Sequence, residues 1–83
     1  MKVMNKMEGI PMELTVTERR RRRLVEVIRE LQGESERGAH LIKVMDQLKN
    51  EGLPLLEFPR YLVNALKEGV IYETDREHVR TTK

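Results

Sequence analysis

The chain has 83 residues, of which 39% are hydrophobic and 36% are charged, so it allows one small domain with a thin core. It has no cysteine, which excludes disulfides, thiolate nucleophiles and cysteine-ligated zinc. The formal net charge of +2 falls to −3 without the five consecutive arginines Arg19 to Arg23. The positive excess is therefore local, which argues against a general affinity for nucleic acids.

The amino-terminal residues 1–14 show no sustained period and contain Gly9 and Pro11, which predicts a flexible leader or linker. No stretch reaches the roughly 18 apolar residues of a membrane span, and "MKVMNKMEG" lacks the apolar region of a signal peptide. We expect a cytoplasmic, nucleoid-associated protein with no membrane contact, whose domain occupies residues 15–83.

The first two helices follow from apolar spacing. Thr15 and Glu18 form a capping box that predicts the start of helix 1, with Thr17 as the alternative cap. Helix 2 is predicted over residues 41–51, and Gly52 suits a left-handed cap. The inward stripes, at spacings of three and four, are Leu24, Val27, Ile28 and Leu31 in helix 1 and Leu41, Val44, Met45 and Leu48 in helix 2.

Helix 3 is predicted to open at Pro59 and to end at Gly69, after the connector "LPLLEF". Leu62, Val63 and Leu66 should point inward, with Phe58 as a flanking anchor. The opposite side should present a polar stripe that consists of Arg60, Asn64 and Lys67.

The segment "VIYETDREHVRT" changes to strand-forming residues around a turn and predicts a hairpin, to which Ala39 and His40 could add a short third strand. The predicted fold class is mainly α with a small antiparallel β wing. Three helices followed by a carboxy-terminal hairpin make a winged helix-turn-helix.

Two families share these motifs. "ERRRRRLVEVIREL" followed by "ALKEGVIYE" resembles the carboxy-terminal winged-helix domain of archaeal MCM replicative helicases, and "EGIP" is similar to the linker before that domain. "LTVTERRRRRLVEVI" together with "IYETDREHVRTT" is similar to the carboxy-terminal winged helix of the middle subunit of replication protein A. The resemblance covers roughly residues 15–83.

Both resemblances imply a non-catalytic accessory domain in DNA replication. In a helicase it would modulate unwinding through weak, non-specific DNA contacts or intersubunit contacts, and in a single-strand-binding protein it would recruit replication and repair partners. A stand-alone transcriptional regulator is a further alternative. We expect the isolated domain to be a monomer.

The arginine run cannot form one flat patch, because five successive helical residues sweep more than a full turn. Arg20 and Arg21 should lie beside the buried stripe, so the residues available to DNA or a partner are Arg19, Arg22 and Arg23. A salt-bridged helix face is an equally good interpretation, with the pairs Glu18–Arg22, Arg22–Glu26 and Glu26–Arg29.

The helix 3 stripe is the better candidate for recognition, because arginine can read guanine and asparagine can read adenine in the major groove. Glu57 and Glu68 nearby should repel phosphate, so DNA contact, partner docking and a solvated face all remain open. The wing offers Arg76, His78 and Arg80 among acidic residues, which suits a weak minor-groove contact or a protein interface.

No metal, cofactor or enzymatic activity is predicted. His40 and His78 lie on separate elements without ligand spacing. The only serine, Ser35, lies in a loop far in sequence from either histidine.

Overall fold

Three α-helices and a three-stranded antiparallel sheet make up residues 12–82, the part of the chain that the computed structural model describes. The elements in chain order are α1 (Met12–Leu31), a 3-10 turn (Gln32–Glu34), β1 (Ala39–His40), α2 (Leu41–Asn50), a second 3-10 turn (Leu55–Glu57), α3 (Phe58–Glu68), β2 (Ile71–Asp75) and β3 (His78–Thr81).

Helix α1 begins earlier than the sequence pattern predicts. Its first residue is Met12, so the predicted cap Thr15 and the alternative Thr17 both lie inside the helix. Residues 12–14, which the sequence pattern places in the leader, are therefore part of α1. Residues 1–11 lie outside the described part of the chain. Helical hydrogen bonding before Thr15 overrides the local capping signal, which is worth about 1 kcal/mol.

The ends of α2 and α3 lie within one residue of the prediction: α2 ends at Asn50 and not Glu51, and α3 begins at Phe58 and not Pro59. Gly69 follows α3 with a φ of 76° and a ψ of 15°, the left-handed conformation that glycine adopts without a Cβ penalty. Pro59 lies in the first turn of α3, where its missing N–H has no partner to lose.

The sheet has the order β1-β3-β2, so the hairpin is extended by the short strand predicted at Ala39 and His40. Ala39 pairs with Val79 and His40 with His78. Gly38, just before β1, has a φ of 110°, and a Cβ there would lie 2.5 Å from the carbonyl oxygen of Val79. Only glycine permits this approach of the chain to β3.

The core lies where α1 packs against α2, α3 and the sheet. Leu24, Val27 and Ile28 of α1 are fully buried, as their spacing predicts. The other buried apolar residues are Ala39, Val44, Leu48, Leu53, Phe58, Tyr61, Ala65, Ile71 and Val79, with Leu31, Leu41, Met45, Leu62 and Leu66 partly buried against them.

The prediction that Val63 points inward is wrong, because this residue is 45% exposed. Phe58, Tyr61 and Ala65 occupy the buried side of α3, and a residue two positions after Tyr61 lies about 200° away around the helix. The alternation of three helices with the strands is compatible with a winged-helix arrangement.

Candidate nucleic-acid interface

The side of α3 opposite the core carries four residues, which we call the α3 face: Arg60, Val63, Asn64 and Lys67. Arg60 and Lys67 are exposed, Val63 lies between them, and Asn64 is half-buried at the edge. Arg60 and Lys67 are two helical turns, about 10 Å, apart along the axis. Within residues 12–82 neither cation has an ion pair. The predicted stripe is therefore on the surface, with Val63 at its centre.

The two acidic residues that flank the α3 face are paired with arginines of α1. The Nη1 atom of Arg20 lies 2.9 Å from Oε1 of Glu57, directly before α3. At the other end, the guanidinium of Arg21 pairs with the carboxylate of Glu68, the last residue of the helix. These carboxylates were expected to repel phosphate, but each now has a cation beside it that offsets its charge.

Arg23 is the most heavily paired of the five arginines. Its Nε and Nη2 atoms donate to the two carboxylate oxygens of Glu51 at 2.8 Å each, a two-point contact. Its Nη1 atom also lies 3.2 Å from Oε1 of Glu26. The prediction that Glu26 pairs with Arg22 and Arg29 is therefore wrong, because Arg23 takes this carboxylate.

The Arg23–Glu51 contact shifts the pKa values of both side chains. The hydrogen bonds from Arg23, and then the one from the Gln47 amide, lower the pKa of the Glu51 carboxyl from 4.5 to about 2. The same contact, followed by that with Glu26, raises the pKa of Arg23 above its already high value. Glu51 is therefore charged wherever the protein is near neutral pH.

Arg20, Arg21 and Arg23 together form what we call the arginine clamp, since they join α1 to both ends of α3 and to the end of α2. Arg20 and Arg21 are about one-third exposed, in line with their predicted place beside the buried stripe. Arg19 and Arg22 are exposed and, within the described part of the chain, have no ion pair. Of the three arginines predicted to be available, Arg23 is occupied.

The wing presents fewer contacts than the sequence indicates. His78 is only 8% exposed, and its Nδ1 atom lies 2.9 Å from Oδ1 of Asp75. The hydrogen bond from His78, and then that from the backbone N–H of Glu77, lower the pKa of the Asp75 carboxyl. Arg76 at the turn is exposed and Arg80 is half-buried, so these two cations remain at the wing surface.

A β-bulge fixes the direction of the wing. The register between β2 and β3 shifts between Glu73 and Asp75, which leaves Thr74 as the extra residue. The Thr74 hydroxyl donates to the carbonyl oxygen of Arg37, in the loop before β1. The hairpin is thus tied to the body of the domain near its tip.

Ser35, His40 and His78 each make a local hydrogen bond. Among residues 16–82, whose side chains the structure describes, no group of three histidine, aspartate or glutamate residues could hold a metal ion. The hydroxyl of Ser35 accepts a hydrogen bond from the backbone N–H of Arg37, and Nδ1 of His40 caps α2 by accepting from Ile42 N.

Sequence reasoning missed the apolar part of this surface. Leu56, in the 3-10 turn before α3, is 95% exposed, and Val63 on the α3 face is 45% exposed. The signal was present, since Tyr61 and Ala65 compete with Val63 for the inward side and Tyr61 is far larger.

Comparison of the chain with protein-family models, with curated proteins and with solved structures gives no match. Among the described residues, none of the helices α1 to α3 is both long enough and apolar enough to cross a membrane.

Proposed function

We propose that this chain is a winged-helix domain that binds duplex DNA weakly through the α3 face and serves, without catalysis, as an accessory domain of a replication protein. The order of helices and strands, with β3 between β1 and β2, supports the winged helix. In helix-turn-helix domains the corresponding helix enters the major groove.

One observation carries the DNA contact. The carboxylates at both ends of α3 are paired with Arg20 and Arg21. Between these two carboxylates, Arg60 and Lys67 make no ion pair with any described residue. A phosphate that approaches α3 therefore meets two uncompensated cations. The arginine run acts indirectly, because it removes the repulsion that Glu57 and Glu68 would otherwise exert.

The same surface explains why binding should be weak. Arg60, Lys67, Arg76 and Arg80 provide at most four phosphate contacts, so the logarithm of affinity should fall with that of salt with a slope of about −2 to −4. Val63 can contact a thymine methyl group, and half-buried Asn64 has limited reach to a base. Non-specific affinity in the range of about 10⁻⁴ to 10⁻⁶ M is expected at physiological salt.

The replication role comes from the resemblance to the MCM carboxy-terminal domain. Weak, salt-sensitive contact suits a domain that modulates a helicase as it moves along DNA. The cytoplasmic, nucleoid-associated location expected from the sequence fits this role.

A second candidate is a protein-recruiting winged helix of the replication protein A type. It is favoured by Leu56, whose side chain is 95% exposed next to the α3 face. An exposed leucine is what a hydrophobic partner would cover, whereas DNA makes less use of it.

Duplex titration distinguishes the two candidates. Anisotropy of a labelled duplex should show at least a tenfold weaker affinity for Arg60→Gln/Lys67→Gln than for the wild type. Arg22→Gln/Arg29→Gln removes the same charge from α1 and serves as the matched control, which should retain most of the affinity. Circular dichroism at each salt concentration checks that the variants keep the helix content of the wild type.

Equal losses in the two double variants would mean that net charge, and not the α3 face, attracts the duplex. No binding by the wild type at low salt would reject DNA contact and leave partner recruitment. In that case Leu56→Ser, and not the charge variant, should abolish capture of a replication partner.

A further inference from the structure

Val63 is the one residue of the α3 face whose side chain has no polar group. It is 45% exposed, whereas Tyr61 and Ala65 on the opposite side of the helix are buried. Successive helical residues turn by about 100°, so Val63 lies within about 60° of both Arg60 and Lys67 around the helix and between them along its axis. A duplex held by the two cations therefore meets an apolar side chain in the middle of the contact.

The side chains of the α3 face differ in length and in freedom. The major groove is about 12 Å wide, and a helix with its side chains is about 10 to 12 Å across, so the groove admits α3. Arg60 and Lys67 are long and end in a charge, which suits phosphates at the rims of the groove. Val63 is short, and in a helix its χ1 angle has one strongly preferred value, so its two γ-methyl groups have a fixed direction. Contact of Val63 with base edges therefore costs little conformational entropy.

The chemistry of valine restricts what it can recognise on a base. Its side chain neither donates nor accepts a hydrogen bond, so it cannot read the pattern of donors and acceptors on the base edges. The apolar group that a base presents in the major groove is the methyl on C5 of thymine. Cytosine has a hydrogen atom at C5, and 5-methylcytosine has the same methyl as thymine.

We infer that Val63 is a specificity-determining residue through which the α3 face prefers duplexes that carry C5-methyl groups, as thymine or as 5-methylcytosine. This preference rests on the proposed binding of duplex DNA at the α3 face and identifies the group on the duplex that is recognised. Burial of one methyl group against Val63 should change the affinity by about fourfold. Such a preference is small enough to accompany weak binding that depends mainly on phosphate contacts.

Two pairs of duplexes isolate the methyl group. The first pair is a duplex of alternating adenine and thymine and the same duplex with uracil in place of every thymine. The second pair is a duplex of alternating guanine and cytosine and the same duplex with 5-methylcytosine in place of every cytosine. Because each sequence is uniform, the register in which the full chain binds does not affect the result. Anisotropy at low salt should give an affinity about fourfold higher for the methylated member of each pair, with an equal salt slope.

Substitutions at position 63 assign the preference to this side chain. Val63→Ala removes both γ-methyl groups at an exposed position, so it should keep the fold and the charge of the wild type. This variant should bind the two members of each pair about equally. Val63→Ile keeps a β-branched apolar side chain and should retain the preference, which makes it the matched control.

The possible outcomes separate the methyl preference from DNA binding itself. Equal affinity of the wild type for the two members of either pair would overturn the role of Val63 and leave duplex binding at the α3 face intact. A preference that persists in Val63→Ala would also overturn it, because the methyl groups would then act through the shape or stiffness of the duplex. Absence of binding to all four duplexes would reject the α3 face as a DNA surface, and the role of Val63 with it.

Discussion

Substitution of Gly38 tests whether the close approach of the chain to β3 holds the sheet together. Its φ of 110° is one that residues with a side chain rarely adopt, at a cost of about 1 to 3 kcal/mol. The added Cβ would also lie 2.5 Å from the carbonyl oxygen of Val79, and backbone cannot swing aside as a side chain can. Moving β1 away from β3 should cost about another 1 to 3 kcal/mol. We expect Gly38→Ala to lower the free energy of unfolding by the sum of the two contributions, about 2 to 6 kcal/mol.

Alanine variants at two other glycines separate the cost of backbone strain from the cost of the steric clash. Gly69 has a φ of 76° with nothing within 4 Å of an added Cβ, so Gly69→Ala should cost only the backbone strain, about 1 to 2 kcal/mol. Gly33 has neither a positive φ nor a neighbour within 4 Å, and Gly33→Ala should change the free energy by about 0.5 kcal/mol or less. Urea unfolding followed by circular dichroism measures all three. A Gly38→Ala variant no less stable than Gly69→Ala would refute the steric argument.

Two predictions concern the Arg23–Glu51 contact. In a double-mutant cycle with Arg23→Gln and Glu51→Gln, urea unfolding should give a coupling free energy of about 0.5 to 1 kcal/mol. The value is small because both side chains are about one-third exposed and partly screened by solvent. A coupling free energy of zero would contradict the two-point geometry. The lowered pKa of Glu51 means that its contribution to stability is complete above pH 4.5 and is lost as the pH falls from 4.5 towards 2. Glu51→Gln should therefore lose less stability than the wild type over that pH range, and parallel pH profiles would contradict this.

Local signals account for what the sequence predicts correctly. Gly69 and Pro59 mark the ends of α3 through their own backbone preferences, and the spacing of Leu24, Val27 and Ile28 identifies the buried side of α1. Each depends on residues within one or two turns, so no tertiary knowledge is needed.

The charged partners depend on contacts that no local rule contains. The spacing rule assigned Glu26 to Arg22 and Arg29, but docking of α2 against α1 brings Glu51 to Arg23 and rotates that guanidinium over Glu26. The burial of His78 likewise follows from its place opposite His40 in the sheet. Both outcomes come from tertiary packing. For Glu26, that packing overrides ion pairs along the surface of one helix, which are worth only about 0.2 to 0.5 kcal/mol each.

The arginine clamp also bears on the lifetime of the folded state. Arg23 and Glu51 are 28 residues apart in the chain, and Arg20 and Glu57 are 37 apart, so each pair closes a long stretch of chain. Exposed contacts that close long stretches form late in folding, after the entropy of loop closure has been lost. Contacts absent from the folding transition state slow unfolding and leave the folding rate almost unchanged. The clamp should therefore lengthen the lifetime of the folded state, and Arg23→Gln should unfold about two- to fivefold faster if its contact is worth about 0.5 to 1 kcal/mol.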